Sequence, residues 1–146
     1  MTRRLLAACC IICLTGAPAA HAEDTQNKAL VLDLTCTIPA DGPEVEDGAL
    51  VARLYEYDPM LADASAAEIA RATIFGLTHK PGRNTILRIP LRGMRVERKQ
   101  YYVSAFVYPD ISSNERLYFI DGFQAVFENT AEQTLNIILA PVRRER

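Results

Sequence analysis

From Ala29 onward the apolar residues recur with a period of two rather than 3.6, the spacing of a half-buried strand and not of an amphipathic helix. Leu30, Leu32, Leu34 and Cys36 alternate with Val31, Asp33, Thr35 and Thr37, and Pro39 with Asp41-Gly42-Pro43 closes the run as a turn. A second run over residues 49–57 places Leu50, Ala52 and Leu54 on one face and Val51, Arg53, Tyr55 and Tyr57 on the other, and it ends at Asp58-Pro59. Residues 62–70 are rich in alanine and predict a helical turn capped by Asp63 or Ser65, leading into a strand at Thr73-Ile74-Phe75. Lys80-Pro81-Gly82-Arg83-Asn84 reads as a hairpin turn and residues 85–89 as its return strand. The strongest strand signal covers residues 101–108 and stops at Pro109; further runs at 117–120, 123–127 and 134–139 follow, separated by Asp121-Gly122 and by residues 129–133. Seven or eight short strands with turn signals between them predict an all-β fold, an antiparallel β-sandwich or barrel.

The N-terminal residues break this pattern. Met1-Thr2-Arg3-Arg4 precedes a segment that is apolar throughout, from Leu5 to Leu14, and Thr15, Gly16, Pro18 and Ala20-His21-Ala22 follow. A basic start, an apolar stretch too short to span a bilayer and an A-x-A close describe a secretory signal peptide over residues 1–22, cut after Ala22, so the chain is expected in the periplasm or outside the cell. Leu6-Ala7-Ala8-Cys9 also spells a lipobox with Cys9 as acylation site, but only four apolar residues would precede that cut, so the unacylated reading is preferred. Residues 23–28 form a polar leader, residues 29–142 one sandwich domain of ordinary size and residues 143–146 a basic tail, with no transmembrane helix in the mature chain. The cut removes Cys9, Cys10 and Cys13, leaving Cys36 without a disulfide partner and, in its apolar alternation, expected to be buried. It also removes His21 and two arginines, so the formal charge moves from −2 to −4.

Composition narrows the function classes. With 49% hydrophobic and 23% charged residues the chain is neither disordered nor collagen-like, and its net negative charge excludes a general nucleic-acid binder. His79 is the only mature histidine; it stands beside Lys80-Pro81-Gly82 and is expected to be a solvated turn residue, not a base. Cys36 and His79 are too few for a zinc site, and no cofactor motif is present. Asp41, Glu44, Glu46 and Asp47 crowd one loop, but Pro43 and Val45 interrupt any EF-hand pattern and the cluster reads as a solvated acidic loop. Glu56 and Asp58 would share a strand face, yet the chain has no Trp and no second acidic strand to build a sugar cleft around them. No catalytic, cofactor-binding or metal-binding residue is assigned.

Charge is unevenly distributed. Residues 23–68 hold eleven acids against Lys28 and Arg53, whereas residues 71–99 hold eight basic residues against Glu97. The two halves either neutralise one another or present one acidic and one basic surface to a partner. Arg92, Arg95, Arg98 and Lys99 fall in one loop-like stretch and are the best candidates for an exposed basic patch. Six tyrosines, Tyr55, Tyr57, Tyr101, Tyr102, Tyr108 and Tyr118, could mark a binding face, since tyrosine offers rigid area and a hydroxyl, and of these Tyr101 and Tyr108 join the basic residues as candidate interaction residues; the alternative is that they are ordinary strand residues.

The segment Leu54-Tyr55-Glu56-Tyr57-Asp58-Pro59-Met60-Leu61-Ala62-Asp63-Ala64 resembles the YscW/YbaY family of bacterial envelope lipoproteins, which carry a strand and then a stretch close to L-A-D-A-P-A. Leu61-Ala62-Asp63-Ala64 matches and Ser65 replaces the usual Pro; residues 86–90, Tyr102-Val103-Ser104-Ala105, Leu117-Tyr118-Phe119-Ile120 and Leu139-Ala140-Pro141-Val142 follow in the family's order. The resemblance implies an immunoglobulin- or transthyretin-like sandwich and a pilotin or chaperone role toward an outer-membrane secretin. The expectation is therefore an exported, non-enzymatic domain that binds another envelope protein, through a sheet edge or a groove between sheets. The alternatives are a periplasmic inhibitor or small-ligand-binding domain on the same scaffold, and an enzyme using Glu56 and Asp58.

Overall fold

The computed structural model describes residues 28–61 and 63–143. The expected signal peptide with Cys9, residues 23–27 of the expected leader and residues 144–146 of the expected tail lie outside the described residues. Eight strands follow in order: β1 (Ala29–Ile38), β2 (Val45–Tyr57), β3 (Ala67–His79), β4 (Thr85–Met94), β5 (Gln100–Tyr108), β6 (Tyr118–Ile120), β7 (Gln124–Val126) and β8 (Glu132–Pro141). The alternation read from the sequence of β1 is the alternation of burial: Leu30, Leu32, Leu34, Cys36 and Ile38 are fully buried and the residues between them are not. Leu50, Ala52, Leu54, Val103, Ala105, Val107, Leu91 and Leu139 meet them in a single core. Burial pushes the Cys36 thiol up to about 12, which leaves it an inert apolar filler, as expected from its pattern.

The strands join in the order β3-β2-β5-β6-β8-β1-β4, with β7 paired to β5 beside β6. The fold is all-β as expected but is not an antiparallel sandwich; of the two arrangements the strand spacing left open, it is nearer to the barrel. β1 and β8 run parallel, so the sheet is mixed, and it curls until its two end strands, β3 and β4, stand side by side almost as in a barrel. β8 makes that continuity. Its residues Glu132–Ile138 lie where they partner Val31–Thr37 of β1, while Leu139, Ala140 and Pro141 partner Ile120, Phe119 and Tyr118 of β6. A period of two states which side chains face the core; it carries no information on which strand is the neighbour or which way it runs.

Three local expectations are also corrected. Among the described residues there is no helix: Ala67, Ala70 and Ala72 are part of β3, because Ala70 lies opposite Leu54 and Ala72 opposite Ala52, where contact with the core outweighs the helix preference of alanine. Residues 80–84 are a turn and residues 85–94 a strand, but the two flanking strands are not a hydrogen-bonded hairpin; β4 pairs with β1 along ten residues, and the turn carries the chain from one half of the sheet to the other. His79 is not solvated. β3 extends as far as this residue and turns its ring inward with the parity of Leu77, so His79 is fully buried, with Nδ1 2.9 Å from Thr85 Oγ1 and its ring edge-on to Tyr118.

The acidic cluster divides. Glu46 and Asp47 belong to β2, which begins at Val45, and Asp47 takes a left-handed φ of 53° at an irregularity where the register with β3 shifts. Gly48 permits this crossing, since a Cβ there would sit 2.8 Å from the Tyr108 carbonyl oxygen. No group of three or more His, Cys, Asp or Glu among the described residues is placed to hold a metal.

Candidate functional site

The end of β2 and the start of β5 build an aromatic strip on the outer face of the sheet. Register places Tyr55 opposite Tyr102 and Tyr57 opposite Gln100, so successive outward positions carry rings. Tyr55 and Tyr102 stack with centroids 4.9 Å apart and planes 11° apart, a cross-strand pair of the kind that stabilises a sheet by roughly 0.2–1 kcal/mol. Phe123, from the loop between β6 and β7, extends the strip: its ring lies 5.1 Å from Tyr102 and edge-on to Tyr57 at 5.9 Å, and it is 61% exposed. Tyr57 Oη donates to Gln100 Oε1 at 2.6 Å, which fixes the ring at the strip's end. Burial, with Tyr55 second, raises the pKa of the Tyr102 phenol, keeping it neutral.

The strip runs into a cleft of about 520 Å³ walled by Tyr57, Phe123 and Phe127 and by the polar Arg95, Lys99 and Glu128. Its rim is the loop between β4 and β5, and the hydrogen bonds of that loop explain its shape. Arg95 N–H donates to the Lys28 carbonyl at 2.8 Å, the Val96 N–H donates to Tyr101 Oη at 2.7 Å, and Tyr101 Oη donates in turn to the Val96 carbonyl at 3.3 Å. Arg98 closes the loop with a left-handed φ of 63°. The Arg95 guanidinium donates to the Phe127 carbonyl at 3.3 Å, and Lys99 Nζ lies 3.3 Å from Asp58 Oδ2. Phe127 is itself held in an uncommon conformation, φ 60°, by burial of its ring edge-on to Tyr101 and by its N–H donating to Gln133 Oε1 at 2.7 Å.

Of the six residues expected to interact, the structure brings Arg95, Arg98 and Lys99 together in this loop. Tyr101 lies beneath them but is 2% exposed: it faces inward with the parity of Val103 and acts by holding the loop, so it is no surface contact. Arg92 is exposed on β4, against β3, outside the cleft. Tyr108 stands at the opposite end of β5, near Arg71 and Ile111. Tyr57 and Tyr102 stand among the six tyrosines weighed for a binding face without being singled out, and Phe123 was missed. The signal was available in the outward parity of Tyr55 and Tyr57, but it becomes a site only once β2 is known to pair with β5.

The cleft's electrostatics are mixed. Asp58 sits at Lys99, and its carboxyl is held below its ordinary range by the Met60 N–H and then by Lys99. Both contacts favour the ionised carboxylate and tie Asp58 to the loop. Glu68 makes a two-pronged pair with Arg71 at 2.8 and 2.9 Å beside the far end of the strip, and Arg71 draws its pKa down. The arrangement offers aromatic edges for an apolar anchor and charges of both signs at the rim, the anatomy of a protein-binding surface.

No family model matches the sequence, and no curated protein matches it. A solved structure does: an alternative pilotin from the type II secretion system of Vibrio cholerae, at 20% identity and a TM-score of 0.53, over 78% of this chain and 99% of that one. The likeness is one of fold; it does not show the YscW/YbaY family that the short motifs resemble. Among the described residues no helix is long and apolar enough to cross a membrane. The chain has a pilotin-like, all-β fold.

Proposed function

We propose that this chain is an exported, non-enzymatic, pilotin-like domain that binds an envelope protein, an outer-membrane secretin by the resemblance of its motifs, and that the cleft between Phe123 and the Arg95–Lys99 loop is where it does so. The observation that supports this reading is the extent of the match: almost the whole of the Vibrio cholerae pilotin finds a counterpart here. The cleft adds to it, because an exposed aromatic beside a hydrogen-bonded polar loop suits an apolar anchor on a partner chain. Glu56 and Asp58 are not read as a catalytic pair, since Asp58 is engaged by Lys99 and by the Met60 backbone.

Co-purification of the tagged full chain from envelope extracts tests the reading. Recovery of a secretin, lost in a Tyr57→Ala/Phe123→Ala variant, is the expected result. Recovery of a soluble hydrolase inhibited by the chain would favour the inhibitor reading instead. A turnover abolished by Glu56→Gln with Asp58→Asn would show that the domain is an enzyme.

A further inference from the structure

His79, the only histidine among the described residues, is fully buried at the last position of β3. Its two ring nitrogens are unequally served. Nδ1 lies 2.9 Å from Thr85 Oγ1, at the first position of β4, whereas Nε2 is buried with no hydrogen-bond partner among the described residues. A neutral imidazole carries one N–H and one bare nitrogen, so this arrangement selects a tautomer. With the proton on Nδ1, donating to Thr85, only a lone pair is left unmet. With the proton on Nε2, a buried N–H would have no acceptor, the rarer and costlier outcome.

The surroundings offer nothing to a second proton. Val45 of β2 stands opposite His79, Ile38 of β1 stands opposite Thr85, and Tyr118 of β6 meets the ring edge-on. Tyr118 is the titratable group among these; burial, and then Asp41, push it up to about 12, so it stays neutral where imidazoles titrate, and its hydroxyl already donates to the Pro43 carbonyl. Asp33 of β1, Asp41, Glu44, Glu46 and Asp47 before and within β2, Lys80 and Arg83 of the turn and Arg88 of β4 are all exposed. No carboxylate of the described residues lies within ion-pair distance of the ring. An imidazolium here would be a buried cation with one N–H unmet.

The ring also sits under a clasp. Gly82 N–H donates to the Ala40 carbonyl at 2.7 Å and Ala40 N–H donates to Asn84 Oδ1 at 2.9 Å, so the turn at 80–84 holds the loop between β1 and β2, and Tyr118 holds the same loop through Pro43. Below the clasp the ladder between β2 and β3 is interrupted. Its register shifts twice between Val45 and Leu50, Asp47 and Gly76 take left-handed φ of 53° and 67°, and Val45 pairs with His79 beyond that break. The tip of β3 can therefore open while residues 67–74 stay paired with β2.

We propose that His79 is a proton-operated latch: in acid its ring takes a second proton, leaves the core, and releases the tip of β3, the turn at 80–84 and the loop between β1 and β2 from one another while the rest of the barrel stays folded. The sign follows from the contacts. The closed form holds one imidazole proton and the open form holds two, so below about pH 6.5, where a solvated imidazole is protonated, each unit fall in pH favours opening by up to about tenfold. The latch lies at the opposite end of the strands from the cleft at Phe123, and failure of either leaves the other standing.

The test is amide exchange of the full chain at pH 7.5 and pH 5.0, expressed as protection factors so that the intrinsic pH dependence of exchange is removed. Imidazole nitrogen spectra of the histidine-labelled protein accompany it, the His79 signal being the one lost in His79→Asn. The expected results are the Nδ1–H tautomer at pH 7.5 and, at pH 5.0, a fall in protection of about ten- to thirtyfold at the Ala40 and Gly82 amides with residues 30–36 and 103–107 unchanged. His79→Asn, whose amide can still donate to Thr85 but takes up no proton, should abolish that fall; if the variant does not fold, the tautomer and the exchange of the native protein decide alone. An Nε2–H tautomer at pH 7.5, unchanged protection at Ala40 and Gly82, an equal fall in β1 and β5, or the same fall in a folded His79→Asn would each overturn the proposal.

Discussion

Tyr101→Phe removes one oxygen atom and leaves the buried ring in place against Phe127, so no cavity forms. What it removes is the hydroxyl that accepts from the Val96 N–H at 2.7 Å and donates to the Val96 carbonyl at 3.3 Å. A net hydrogen bond contributes roughly 0.5–1.5 kcal/mol, and the 3.3 Å contact belongs at the low end of that range. Water can reach a half-exposed loop and replace part of the loss, so the expected cost is about 1–2 kcal/mol, a fall in Tm of roughly 3–10 °C for a domain of this size. Urea unfolding followed by far-ultraviolet circular dichroism gives the first number, and amide exchange gives the location: the Val96 N–H should lose its protection while β1 and β5 keep theirs. If Tm stays within a degree and Val96 remains protected, the hydroxyl does not hold the loop, and the assignment of Tyr101 as a positioning residue is wrong.

Other outcomes follow from the same contacts. Cys36, with its thiol pushed up to about 12 and its side chain fully buried, should react with a thiol reagent only at the rate of global unfolding, and Cys36→Ser should cost about 1–3 kcal/mol by burying an unsatisfied hydroxyl; fast labelling of the folded protein would contradict its placement. Asp58 has a depressed pKa in the folded state, so its contribution is present above the ordinary value of 3.8 and is lost as pH falls through the lower folded value. Comparison of the native protein with Asp58→Asn should therefore show curves that differ at neutral pH and merge in acid; a difference that grows on acidification would reverse the assignment. Tyr57→Ala with Phe123→Ala should weaken partner binding more than about tenfold with little loss of stability, since Phe123 is exposed; equal binding would remove the strip from the site.

The faces of the strands were legible in the sequence because burial alternates wherever one side of a sheet is covered. Leu30 through Ile38 shows this, and so does the burial of Cys36. Pairing was not legible. The turn at residues 80–84 has the length of a hairpin, but the core is closed by β4 crossing to β1, and only that tertiary choice places His79 inside. The candidate site divides in the same way. Arg95, Arg98 and Lys99 could be read as an exposed basic loop from their order alone, whereas Tyr101 among them is buried by the parity of β5, and Phe123 joins Tyr57 and Tyr102 across strands distant in sequence.

The central claim, that the cleft receives an envelope protein, is tested most directly by a photoreactive amino acid at position 123 in the full chain, expressed in a bacterium with its native secretion machinery, with position 88 on the far face of β4 as control. The account predicts a cross-link from position 123 to an outer-membrane secretin and none from position 88. Cross-links of equal strength from both positions, or a cross-link from position 123 only to a soluble enzyme, would contradict it.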